Sequence, residues 1–141
     1  MDTGNIEIRL VESWPIDEII ELYITGGWWK ESYDPSLLHQ MITGSFVFAV
    51  VVDTTSDKAV GMGRVISDGI SDAYIQDLVV LPKYRKKGFG KKLVDILIKQ
   101  CLAKGIVWIG VIAEPGSDEL YRGLGFKPMK DHTPMLYQLE E

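Results

Sequence analysis

Residues 74–104 read YIQDLVVLPKYRKKGFGKKLVDILIKQCLAK: an apolar run, a basic loop with two glycines, and a helical repeat. In the repeat, Phe89, Leu93, Leu97 and Cys101 form one row and Val94, Ile98 and Leu102 the next, while Lys91, Lys92, Lys99 and Lys104 fall elsewhere. That spacing predicts a strand, a turn, and an amphipathic helix that ends at Gly105. Six of the chain's fifteen Lys and Arg residues lie within ten positions: Lys83, Arg85, Lys86, Lys87, Lys91 and Lys92. Most of them sit beside the helix start, whose free N–H groups already carry about half a positive charge. Cations there repel the helix dipole, so the arrangement needs a compensating anion. Gly88 and Gly90 let the backbone approach a ligand closely. Together these features describe a phosphate cradle. It is neither a Walker loop, having no Gly-Lys-Ser/Thr, nor a dinucleotide fingerprint, because Gly88-Phe89-Gly90 has no third glycine three residues on.

Downstream, residues 106–113 (IVWIGVIA) are almost wholly apolar and predict a buried strand parallel to the one at 74–80, completing a βαβ unit. A short helix is expected over 117–123, and a last strand around Met135–Leu139. Upstream, residues 5–11 alternate as a half-buried strand, and Ser13 is expected to cap a helix running to Ile24. Asp34-Pro35 opens another helix through about Ile42. Residues 46–52 and 60–66 form a predicted antiparallel hairpin, where Gly61 and Gly63 mark a bulge or a close approach. Between the first two helices stand Trp28, Trp29 and Tyr33, either packing the loop onto the core or walling a pocket for an apolar or aromatic substrate.

With 141 residues, 46% hydrophobic and 25% charged, the chain is expected to form one domain with a proper core. No apolar run reaches a membrane span, and Met1-Asp2-Thr3 does not resemble a signal peptide. Cys101, the lone cysteine, excludes an internal disulfide, falls in the apolar helical row, and fits a reducing cytoplasm. A net charge of −5 argues against nucleic acid and favours a cationic second substrate. No cluster has metal-ligand spacing, and neither His39 nor His132 stands in a hydrolase-like triad.

The loop Arg85-Lys86-Lys87-Gly88-Phe89-Gly90 fits the pattern Arg/Gln-x-x-Gly-x-Gly/Ala. In it the chain resembles the GCN5-related N-acetyltransferases (the GNAT superfamily), whose corresponding loop holds the pyrophosphate of coenzyme A. Glu114-x-x-Ser117-x-x-Leu120-Tyr121-x-x-x-Gly125-Phe126 keeps the spacing of a second family segment, with Glu114 where Asn is common. Residues 61–69 (GMGRVISDG) are similar to the third strand of a subgroup that includes plant chloroplast acetyltransferases acting on arylalkylamines and proteins.

The resemblance covers residues 45–139 and implies an α/β fold: a mixed, mainly antiparallel sheet of six or seven strands, about four helices, and a splayed central parallel pair. It implies acetyl-CoA as co-substrate, held by Leu78, Val79 and Val80 along the strand, by Arg85, Lys86, Lys87, Gly88, Phe89, Gly90 and Lys91 at the loop, and by Glu114. Tyr121 is then the expected acid for the leaving thiolate. Asp77 is the candidate base, with Glu114, Asp68 and Tyr74 left open. The expected acceptor is a primary amine, a small aromatic one or a lysine or protein N-terminus, served by a monomer or homodimer. A non-catalytic acyl-CoA sensor and an O-acetyltransferase are the rival readings.

Overall fold

The computed structural model describes residues 5–139; residues 1–4 and 140–141, including the acidic start of the chain, lie outside the described residues. Five strands run in sequence order across one sheet: β1 (Ile6–Leu10), β2 (Val47–Asp53), β3 (Lys58–Ser67), β4 (Asp72–Val80) and β5 (Trp108–Val111). The first three pairings are antiparallel and β4–β5 is parallel, across the crossover helix α3 (Phe89–Ala103). Helices α1 (Ile16–Thr25) and α2 (Leu38–Gly44) precede β2, and α4 (Asp118–Gly123) follows β5.

Strand β2 explains why the sheet is a two-sided core. Its residues alternate between Val47, Ala49 and Val51, packed with α3, and Phe48, Val50 and Val52, packed with α1 and α2. With helices on both faces, every second position has no reason to be polar, and the strand reads as an unbroken apolar run. Cys101 is fully buried in the α3 layer, which is the core role its helical row predicts.

Several boundaries and one strand differ from the sequence reading. Helix α1 starts at Ile16 behind Pro15 with no side-chain cap, so Ser13 does not cap it. Asp34 does cap its turn, its carboxylate accepting the Ser36 N–H at 3.0 Å. The sheet has five strands among the described residues instead of six or seven, because Met135–Leu139 forms none; Met135, Leu136, Tyr137 and Leu139 are all largely exposed. For the same reason β5 is not the buried strand that its apolar run suggests. It lies at the sheet edge, and only Gly110 of its four residues is buried.

The feature that positions the site is a bulge in β4. Its pairing with β3 matches Met62 to Val79 and Arg64 to Gln76, so one residue of β3 faces two of β4, Asp77 and Leu78. Asp77 sits at φ 60°, in the left-handed region. The extra residue shifts the strand's alternation: Ile75 packs with the α3 layer, whereas Val79, four positions on, packs with the α1 layer. Gly63 is required opposite this bulge. A Cβ there would lie 3.2 Å from both Leu78 Cδ1 and Leu97 Cδ1, tighter than ordinary packing.

Candidate active site

The parallel pairing of β4 with β5 stops at Ile75 and Val111, while β4 continues to Val80. Beyond Ile75 the outer edge of β4 has no partner strand among the described residues. Leu78, Val79 and Val80 line a cleft of about 580 Å³ in that opening. At its far end stand the glycine loop and the first turn of α3. Lys86 (φ 62°) and Gly88 (φ 87°) both take left-handed backbone, and Gly88 caps the helix with no side-chain hydrogen bond to the first-turn amides. Those N–H groups are therefore spent on no side-chain cap and are open to an anion. Gly90 sits close under α4, where a Cβ would come within 3.2 Å of Leu120 Cδ1.

Two side-chain hydrogen bonds given by Tyr84 and Arg85 tie this loop to the sheet. Arg85 Nε donates to the Val80 carbonyl at 2.8 Å, tying the loop back to β4. The Tyr84 hydroxyl donates to Asp53 at the end of β2 at 2.7 Å, and this bond is the main reason the Asp53 carboxyl is held below the usual carboxylate range. Arg85, Lys86 and Lys91 line the cleft. Lys87 lies over the Tyr84 ring, 5.9 Å from its centroid, and does not line it. The Phe89 side chain is buried in the core, so its contribution to the loop is its amide. Open amides, a helix N-terminus and three lining cations fit the diphosphate of coenzyme A. Among the described residues no group of His, Cys, Asp and Glu side chains could hold a metal ion, and no helix is long and apolar enough to cross a membrane.

A second, smaller cleft of about 280 Å³ adjoins the first, and the two share four lining residues: Trp28, Leu78, Glu114 and Ser117. The Trp28 indole N–H donates to Glu114 Oε1 at 2.9 Å, linking the loop after α1 to the loop after β5. Trp28 itself is wedged by Gly26, where a Cβ would fall 2.5 Å from the indole ring, and it meets Tyr23 edge to face with centroids 6.1 Å apart. Of the three aromatic residues expected to wall a substrate pocket, Trp28 alone lines either cleft. Trp29 and Tyr33 contact each other, centroids 5.5 Å apart, and line neither cleft.

Asp77 and Tyr121 both line the second cleft. The Asp77 carboxylate is already engaged: Oδ2 accepts from Arg64 Nε at 2.6 Å and from the Tyr23 hydroxyl at 2.7 Å. Burial, then the Asp77 charge, pushes the Tyr23 phenol well above its ordinary range. Tyr23 and Arg64 are the residues that sequence reading misses. Tyr23 looks like one more apolar position of α1, and its partner Asp77 lies 54 residues away. The Tyr121 ring is buried against Phe126, and its phenol is pushed up to about 12, first by burial and then by the charge of Glu114. Among the described residues the Tyr121 hydroxyl has no hydrogen-bond partner, so it is not tied up locally. The other two residues left open for the base, Asp68 and Tyr74, part company: Asp68 is spent on the Ile70 and Ser71 amides, while Tyr74 lines the second cleft and packs on Trp108.

The site thus combines an opened parallel strand pair, a helix start with free amides at one end and a mainly apolar cleft at the other. Residues 11–126 match the family model described as the acetyltransferase (GNAT) family, and the chain belongs to that family. Among curated relatives, it is 37% identical over 70 residues to GCN5-related N-acetyltransferase 2, chloroplastic, of Arabidopsis thaliana, covering 50% of this chain and 27% of that protein. It is 32% identical over 73 residues to serotonin N-acetyltransferase 2, chloroplastic, of Oryza sativa subsp. japonica, covering 52% of this chain and 36% of that one. The matched stretches thus span only about a third of these longer relatives. A solved GNAT family acetyltransferase from Streptococcus pneumoniae superposes with a TM-score of 0.78 and 28% identity, over 96% of this chain and 99% of that one.

Proposed function

We propose that this chain moves the acetyl group of acetyl-CoA directly to a primary amine while both substrates are bound. The observation that carries the reading is the junction: a phosphate-fitting cleft and a second cleft meet at Trp28, Leu78, Glu114 and Ser117, beside the unpaired edge of β4. A donor laid along Leu78–Val80 would bring its thioester to that junction. The bulge leaves Leu78 outside the β3 register, which supports a main-chain N–H of Leu78 or Val80 as the donor to the thioester oxygen. A binding-only module would have no use for the second cleft.

In this reading the amine nitrogen bonds to the acetyl carbonyl carbon, the C–S bond breaks, and its electron pair stays on sulfur. Tyr121 gives its hydroxyl proton to that sulfur and regains one from the new amide nitrogen. Burial and the Glu114 charge raise its pKa, so the phenol holds its proton until the thiolate, at the end of C–S cleavage, is there to receive it. One further proton must leave the incoming ammonium, and the second cleft offers two carboxylates to take it, Asp77 and Glu114. The cleft is otherwise mainly aromatic and aliphatic, with Trp28, Tyr74, Ile75, Leu78, Val111 and Ile112. That composition, together with the serotonin-acetylating relative, favours an arylalkylamine over a charged side chain on a protein surface. An assay of free thiol released from acetyl-CoA over a panel of arylalkylamines and of lysine and N-terminal peptides tests this. Turnover highest with an arylalkylamine is expected; coenzyme A binding without thiol release from any amine would refute the reading.

A further inference from the structure

The two carboxylates of the second cleft are in different electrostatic situations. Asp77 is neutralised by Arg64, both side chains being mostly buried, and its Oδ2 accepts two hydrogen bonds. Glu114 has no cation partner among the described residues, and no Lys or Arg lines the second cleft. Its position is nevertheless fixed at both ends. The main-chain carbonyl accepts from the Ser117 amide at 2.9 Å and the Ser117 hydroxyl at 2.7 Å, while Oε1 accepts from the Trp28 indole. A surface glutamate ordinarily keeps its rotamer freedom. Here it is held at the junction of the two clefts, as part of the wall of both.

Resting on the acetyl-transfer reading above, we propose that Glu114 is the acceptor's recognition and base residue: its carboxylate pairs with the incoming ammonium and takes the proton that must leave before attack. The ammonium R–NH3+ gives one proton to Glu114, leaving R–NH2 with its lone pair free for the C–N bond, and Glu114 later releases that proton to water. Oε1 is committed to Trp28, which leaves Oε2 for the ammonium. Trp28 is the positioning residue. It is itself braced by the Tyr23 ring, whose hydroxyl binds Asp77, so the Arg64–Asp77 pair supports the acceptor side through Tyr23. The acceptor class follows: a cationic alkylamine with an apolar body, chosen over an amine that arrives neutral.

Glu114→Gln keeps the bond from Trp28 and removes the charge. Steady-state kinetics of wild type and variant with phenethylamine, protonated at neutral pH, and with an aniline, neutral at that pH, separate the roles. The ratio of kcat/KM for phenethylamine over aniline should fall roughly a hundredfold in the variant, the range expected for loss of a proton acceptor. Calorimetry of phenethylamine into the enzyme–coenzyme A complex should show binding weakened at least about tenfold, as expected for loss of a charge-assisted bond. Trp28→Phe should move the same ratio part of the way, through kcat more than KM. An unchanged ratio with weakened coenzyme A binding would overturn the proposal and make Glu114 a donor contact. Wild type that turns over neither amine would overturn the acceptor class proposed here, whereas the acetyl-transfer reading falls only if no amine or peptide of the wider panel releases thiol.

Discussion

Tyr121 combines two properties that rarely meet in one side chain, a buried ring and a hydroxyl without a local partner. If it protonates the leaving sulfur, Tyr121→Phe should lower kcat roughly a hundredfold or more while leaving the coenzyme A Kd unchanged, because acid catalysis contributes on that scale. The sign of its pH effect follows from the shift. A phenol raised from 10.0 to about 12 is held neutral by the fold, so this contribution to stability is fully present below pH 10 and is lost as pH rises toward 12. Melting curves between pH 9 and 12 should fall more steeply for wild type than for the phenylalanine variant, and parallel curves would count against the burial argument. Gly26 makes a second residue-scale test. An added methyl would lie 2.5 Å from the Trp28 ring, so the ring must move and release Glu114. Gly26→Ala should cost about 1–3 kcal/mol of stability from overpacking and, more tellingly, raise KM for the amine. An unchanged KM would mean that the Trp28 ring does not shape the acceptor cleft.

At the scale of elements, the bulge in β4 and the glycine loop carry the site, and they were unequally legible. The loop announced itself because its requirements are local: a left-handed cap needs Gly88, and the anion needs neighbouring cations. The bulge has no mark in the run 74–80: regular alternation would put Asp77 and Leu78 on opposite faces, and only the pairing with β3 shows the extra residue. What fixes Asp77 there is tertiary. Arg64 and Tyr23 reach it from β3 and α1, and nothing in their own sequence neighbourhoods marks them. Asp77→Ala should therefore strand the Arg64 charge and the Tyr23 hydroxyl, at a cost of about 2–3 kcal/mol, somewhat less than for a fully buried pair. Asp77→Asn keeps an acceptor for Tyr23 and tolerates the left-handed backbone, so urea melts should place it between the two. If Asp77→Asn instead abolishes turnover at full stability, Asp77 rather than Glu114 takes the proton. For the loop, Gly88→Ala meets no atom within 4 Å, so its whole cost is backbone strain at φ 87°, about 1–2 kcal/mol. It should show as weaker coenzyme A binding with little change in the turnover of bound donor.

Over the whole molecule, charge is divided as the two proposed substrates would require. The net charge is −5, yet six cations are gathered within ten residues around the start of α3, and Glu114 stands at the other end of the same opening. That division could be read from the sequence because charge patterning needs no fold to be counted. The sheet edge could not. The apolar run at 106–113 looks like a buried strand, but whether a strand lies inside a sheet depends on what comes after it, and Met135–Leu139 makes no pairing with it. The electrostatic division yields a test specific to the donor end. Exposed charges more than about 8–10 Å apart are screened at physiological salt, whereas contacts made by amides at close range persist. Affinity for coenzyme A should therefore fall with added NaCl, on the order of tenfold between about 0.05 and 0.5 M, with a residual affinity set by the loop amides. S-Acetyl-pantetheine lacks the diphosphate, and its affinity should barely respond over the same range. If both donors lose affinity in parallel, the salt acts on the fold or on the β4 edge rather than on the basic loop, and the loop's cations are not what holds the diphosphate.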